Sequence, residues 1–415
     1  MTAASRPWNP LAAVQSAALA ARAAIAEPGP ARRQFVGGVL ALALFVTVVS
    51  LWMYISGNPG VDFEIPLRAA GRWSSGGQPY LASSFAETTG STLPFLYPPW
   101  VLPLLAPVAA LPRILVMPIW TVIVGAAAVW TCRRLSVPWP AVPLVMIWSP
   151  FLEGISSGNV QVIQMAAFAA MFYVPGANWR LTSRSAGRAS VRDAAAASDS
   201  PRTLRHDGLD GVLAAGVGIF KYTQLLTLVW LLRPRPRAAI LGGLVLAALI
   251  VVLLPITGIG VYWDWFAQLG RGADPNWALA GAPLSSVMGR PVAMVAAAIA
   301  VLAMFLVKGR DAGAWVGIAL LVAAPSIHGY GMLFLLPALL ILRRDLAIVL
   351  ALAVATYNPG LWWISIATAG VALAASYRFP ALRNGPNRGP ADDPRVAVDD
   401  PRVNVRECLA GAAVD

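Results

Sequence analysis

Twenty-one consecutive residues, 35–55, carry no charged side chain. As a helix rising 1.5 Å per residue, this run is long enough for a hydrocarbon core of about 30 Å. It is the first of a series. Further apolar segments fall near 95–111, 114–131, 138–152, 160–175, 238–256, 291–307, 313–324, 331–342, 345–356 and 361–377. Charged residues make up 12% of the 415-residue chain and apolar residues 58%. Too few polar side chains exist to coat a soluble body of this size, and the apolar content is too high for disorder. The fold class read from this pattern is all-α. It is a polytopic integral membrane protein, with about 10–12 transmembrane and half-helices and with extracytoplasmic loop helices.

Charge placement predicts the topology. Lys+Arg total 31 against 19 Asp+Glu, a net charge of +12. Arg233-Pro-Arg235-Pro-Arg237, Lys308-Gly-Arg310, Arg343-Arg344 and the Arg378/Arg383 pair fall at every second boundary. The positive-inside rule puts them in the cytoplasm, and puts 56–94, 257–290, 325–330 and 357–360 outside. Residues 1–34 then form a cytoplasmic N-terminal segment without a secretory pattern, and 35–378 a membrane-embedded domain. Residues 379–415 form a disordered cytoplasmic tail holding a duplication, DDPRVAV then DDPRVNV. The arginine-rich stretch 176–208 is expected in the cytoplasm. Segment 209–232 starts and ends on that side, and is too short to cross twice as full helices. It is predicted as a re-entrant pair of half-helices with its tip near Lys221. Between 95 and 180, one of four apolar segments must not cross. Five prolines (Pro98, Pro99, Pro103, Pro107, Pro112) mark 95–112 as that one, so 153–159 falls outside.

Several chemistries have no support in the residues. Cys132 and Cys408 are far apart, and two histidines cannot build a His-rich metal site. No P-loop, GxSxG, HExxH or strand-linked GxGxxG occurs, so ATP-driven transport within this chain has no basis. The basic charge has no soluble domain to carry nucleic acid, and suits an anionic leaflet instead.

Candidate site residues are the sparse polar ones near outer boundaries. Asp62 lies in VDFEIPLRAAGRW with Glu64, Arg68 and Arg72, and the two arginines share one helix face at i, i+4. A carboxylate near guanidiniums suits a base working beside a lipid phosphate, and equally suits ordinary surface ion pairs. Glu153, Asn159 and Gln161 cluster in FLEGISSGNVQ. Lys221 is an intramembrane cation, a functional candidate or a snorkelling lysine. His328 and Tyr330 sit in APSIHGYGM. Trp263, Trp265 and Phe266 read as interfacial anchors or as sugar-stacking rings. Tyr97-Pro98-Pro99 reads first as a helix breaker.

Asp62-Phe63, Ala69-Ala70, Gly77, Pro79-Tyr80, Phe95-Leu96-Tyr97-Pro98-Pro99, Pro107 and Leu111-Pro112 together resemble the N-terminal signature of glycosyltransferase family 87, in the GT-C superfamily. Gly158-Asn159, the Lys221 segment, Asn276 to Arg290, and Pro325-Ser326 with His328 and Tyr330 extend the resemblance across roughly 35–345. The sequence departs from the family where it has Pro66-Leu67 and Thr223-Gln224. The resemblance implies a plasma-membrane enzyme of actinobacterial type with its site on the extracytoplasmic, periplasmic face. Its donor would be polyprenyl-phosphate-mannose. Its acceptor would be a glycolipid, a phosphatidylinositol mannoside or lipomannan, joined through an α-1,2 bond. It implies inversion, Asp62 as general base, and no metal or cofactor. Arg68, Lys221, His328 and Arg290 would meet phosphate and sugar. Glu64, Tyr97, Glu153, Asn159, Asn276 and Tyr330 would complete substrate binding, beside an apolar groove for the prenyl chain. A flippase for a lipid-linked sugar is the competing reading. It predicts internal repeats and polar residues deep in several helices, whereas the charges here gather at one face.

Overall fold

The structure is a computed structural model. It describes residues 60–80, 95–172, 204–272, 284–307, 311–324, 327–342 and 346–378, with short pieces between 36 and 48. Most of the first apolar run, the arginine-rich stretch up to 203, Asn276 and both terminal segments lie outside the described residues.

Among the described residues every regular element is helical. In chain order, α1 is Val61–Ser74, α2 Val101–Ala109 and α3 Arg113–Arg134. Next come α4 Val142–Met146, α5 Ser149–Ser156 and α6 Gln161–Phe172. The broken segment follows as α7 Leu204–Phe220, a 3-10 turn Tyr222–Leu225, and α8 Leu226–Leu231. Then α9 is Pro236–Thr257, α10 Ile259–Gly272, α11 Leu284–Met288, α12 Arg290–Leu306 and α13 Ala312–Ala323. A 3-10 stretch Gly329–Leu335 leads into α14 Leu336–Ile341, and α15 Leu346–Ala355 and α16 Trp362–Arg378 close the bundle.

Among the described residues, three helices are long and apolar enough to cross a membrane: α3, α9 and the span Pro359–Ser376 that contains most of α16. Their outer faces are apolar. Ile114, Ile119 and Val122 on α3 and Val251, Val252 and Ile256 on α9 are all exposed, as expected of helices solvated by lipid rather than water. Other predicted segments that fall within the described residues form shorter helices. A 12-residue helix such as α13 rises only about 18 Å.

One expectation changes. Segment 138–152 is not a continuous helix but a 3-10 turn Trp139–Ala141 followed by α4 and α5. Pro140, Pro143 and Pro150 supply the reason: each lacks an N–H and clashes with the preceding turn, and all sit at N1 or N2 of these pieces. Within 257–290 lie α10 and α11. The break at Lys221 falls where the sequence places it. Lys221 is extended (φ −132°, ψ 108°) between α7 and the 3-10 turn.

Two apolar cores organise the bundle. The larger gathers Phe151, Met165, Phe168, Leu231, Leu320 and Phe334. The smaller joins α1 and α2 to the outer part of α9 and to α10, through Phe63, Phe95, Trp100, Leu102 and Trp265. Trp120 on α3 packs against both. The polar residues of interest lie along this seam.

Candidate functional site at the seam of the two cores

Asp62 is the second residue of α1, and the way α1 begins fixes its position. The first N–H groups of a helix have no intrahelical acceptors. Here they find the carbonyls that end α5. Gly60 N–H donates to Ser156 O at 2.7 Å, and Asp62 N–H to Ser157 O at 2.9 Å. Gly60 and Gly158 both hold positive φ, 76° and 69°. They also pass so closely that a Cβ on Gly158 would lie 3.4 Å from the Gly60 Cα; a left-handed turn at such close approach calls for glycine. Trp120 locks the junction. Its indole N–H donates to Gly158 O at 2.7 Å, and its ring stacks on Phe63 with centroids 3.8 Å apart.

Asn159 follows directly and is 1% exposed. Its Oδ1 accepts the Gln161 N–H at 2.9 Å. That contact fixes the amide, so Nδ2 is the end that donates to Asp62 Oδ2, at 2.9 Å. Among the described residues this is the one side-chain hydrogen bond to Asp62, which is only half-buried. A neutral donor therefore orients the carboxylate without neutralising it.

Charged and aromatic groups close around this pair. The Lys221 Nζ lies 4.8 Å from the centroid of the Tyr330 ring, within cation–π range. His328 stacks on the other partner of that pair, with its ring 5.2 Å from Tyr330 at 14°. The Tyr330 hydroxyl reaches the Asn159 side chain. Glu153 on α5 packs directly onto Gly329, where any Cβ would overlap its carboxylate. Burial, and then the nearby Asp62 charge, push the Glu153 carboxyl up to about 7, while Lys221 opposes the rise. Tyr97 is held through its own carbonyl, which accepts from the Tyr80 hydroxyl at 2.8 Å. Its ring meets Phe220 edge-on at 6.2 Å. Burial and the Asp62 charge push its phenol upward.

Seven predicted residues thus come together: Asp62, Tyr97, Glu153, Asn159, Lys221, His328 and Tyr330. Glu64 and Arg68 build a different group. Glu64 Oε1 accepts from Arg68 Nε at 3.1 Å and also pairs with the Arg113 guanidinium. Arg290 is the exposed first residue of α12. Asn276 lies outside the described residues. Of the three α10 aromatics singled out from the sequence, Trp265 is buried and donates to Leu96 O at 3.1 Å, whereas Trp263 and Phe266 are exposed.

Sequence reasoning missed Trp120 and Gln224. Trp120 lay hidden in a spanning segment, and Gln224 looked like an isolated polar residue. The one available signal was its position, three residues after Lys221. No group of three or more His, Cys, Asp or Glu able to hold a metal occurs among the described residues.

Chemically, the site offers a carboxylate held by an amide and open on one side, beside a cation and several hydrogen-bond donors. Such a set can accept a proton from a hydroxyl while countering a developing negative charge. Comparison of the chain with protein-family models, curated proteins and solved structures returns no match.

Proposed function

We propose that this chain is a multi-pass membrane glycosyltransferase of the inverting kind, working at the extracytoplasmic face of the plasma membrane. It moves mannose from polyprenyl-phosphate-mannose to a hydroxyl of a glycolipid, a phosphatidylinositol mannoside or lipomannan, through an α-1,2 bond. The reading rests on the family 87 resemblance together with one geometric observation: the Asn159 Nδ2 to Asp62 Oδ2 hydrogen bond beside Lys221. The resemblance points to Asp62 as the base, and the hydrogen bond from Asn159 supports that reading by orienting its carboxylate.

In this scheme the acceptor hydroxyl oxygen attacks the anomeric carbon of the β-linked donor from the face opposite the phosphate. A new C–O bond forms as the bond to the phosphate oxygen breaks, and the α-linked product results. The hydroxyl proton passes to Asp62. The electron pair leaves with the polyprenyl phosphate. A phosphate leaving group needs no proton from an acid, but its charge needs a counterpart, and Lys221 with His328 fills that role. Asn159 is a positioning residue that aims Asp62.

Incubating purified protein with radiolabelled polyprenyl-phosphate-mannose and candidate glycolipids, followed by product analysis, tests the proposal. An α-mannosylated glycolipid is the expected product. Movement of the donor across reconstituted liposomes with no glycosidic product would replace the transferase by a flippase.

A further inference from the structure

A cavity adjoins the site. It shares Lys221 and His328 with the site, and Gln161, Thr223 and Gln224 complete its polar wall. Leu321, Ile327 and Phe334 supply its apolar wall. The two glutamines are buried. They are 6% and 4% exposed, and the Oε1 of each is buried with no hydrogen-bond partner. The Gln161 Oε1 lies 3.8 Å from the position a Cβ would take on Gly331, another residue of the cavity wall. Buried amide oxygens without partners are costly and uncommon, so two of them on side chains that line one cavity call for something that satisfies them.

The chemistry of the wall narrows what that is. A metal cation would suit the amide oxygens but would face the Lys221 ammonium. A bare anion would suit Lys221 but would face the amide oxygens. Rotating either amide by 180° exchanges acceptor for donor and still leaves one polar end unpaired. A hydroxyl satisfies either end, because it both donates and accepts. A ring with hydroxyls on its edge and C–H groups on its face matches one polar wall and one apolar wall.

We propose that this cavity is a sugar pocket, in which Gln161 and Gln224 hydrogen-bond hydroxyls of the hexose carried by the lipid-phosphate donor. The assignment rests on the transferase reading for the identity of the lipid. It adds two specificity-determining residues. Lys221, at the border of the cavity and the Asp62 group, places the sugar next to the phosphate that it leaves.

Equilibrium binding to the purified full-length protein tests this, with polyprenyl phosphate and polyprenyl-phosphate-mannose as probes. The wild type should bind the mannosylated lipid at least about ten-fold more tightly, the effect of one or more buried hydrogen bonds. Gln161→Met and Gln224→Met should each remove most of that difference and leave binding of polyprenyl phosphate unchanged. The backbone N–H of Gln161 that orients Asn159 is retained in the variant. A second measurement needs no variant. Donor analogues each lacking one hydroxyl should bind the wild type about ten-fold more weakly at one or two ring positions only. Equal affinity for the two lipids, equal weakening of both by the variants, or a uniform response to every missing hydroxyl would overturn the pocket. Glutamine-dependent binding of the mannosylated lipid without any transfer would overturn the enzyme and leave the pocket standing.

Discussion

Asp62 and Glu64 stand two residues apart on one helix and live in different chemical regions. Glu64 faces two guanidiniums, Arg68 and Arg113, in a partly exposed ion group. Asp62 faces the seam between the two cores, where its side-chain hydrogen bond comes from the neutral amide of Asn159. The ion group is what a water-facing helix of this composition would form anyway, and pairs of that kind add little to stability. The Asp62 region draws on four separate chain segments: the start of α1, the end of α5, the Lys221 break and the 327–335 stretch. A fold does not collect polar groups from distant segments into a poorly solvated seam without cost. The contrast teaches that function is to be sought where polar groups converge, not where charge is densest.

Substitutions on the two sides should therefore behave very differently. Lys221→Met should lower kcat/KM for mannosyl transfer by about 10²–10³, the scale seen when a group stabilising transition-state charge is lost. A loss confined to a few-fold would move the counter-charge elsewhere. Asn159→Ala should lower kcat by about 10²-fold with KM nearly constant, because it misaims Asp62 without touching donor or acceptor. A rise in KM alone would make Asn159 a binding residue instead.

Glu153 sharpens the comparison through pH. Its carboxyl is raised from 4.5 to about 7, by burial first and then by Asp62. A raised acid binds its proton more tightly in the folded state than in the unfolded one. Thermal stability should then increase as pH falls from above 7 towards 4.5, and flatten below. Glu153→Gln should abolish that dependence and remove any limb near pH 7 from the rate profile. An unchanged pH profile in the variant would assign the limb to another group of the cluster. The smallest effect belongs to the ion group. Arg113→Gln should cost less than about 1 kcal/mol of stability and leave turnover within about two-fold. A large loss of turnover would erase the distinction between the two regions.

Much of the fold was legible from local pattern. Apolar length and basic punctuation located α3, α9 and α16, and the interrupted apolar stretch located the break at Lys221. The prolines of 138–152 were equally visible. Their combined effect was underestimated, because each is tolerated at the start of a helix and only together do they divide the segment. The site was legible by residue type: Asp62, Glu153, Asn159, Lys221 and His328 stand out as rare polar groups in an apolar chain. Their arrangement was not. Nothing local says that the Ser156 and Ser157 carbonyls receive the start of α1, 97 residues separating Asp62 from the Asn159 it binds. Gln224 was invisible for a related reason. A glutamine becomes informative only once its surroundings show that its amide has no partner.

Side-by-side turnover of wild type and Asp62→Asn, with radiolabelled polyprenyl-phosphate-mannose and a glycolipid acceptor, tests the central claim most directly. The account predicts an α-mannosylated product from the wild type. It predicts a loss of at least about 10³-fold in the variant, with donor binding and melting temperature retained. Product formed at the wild-type rate by Asp62→Asn would contradict it.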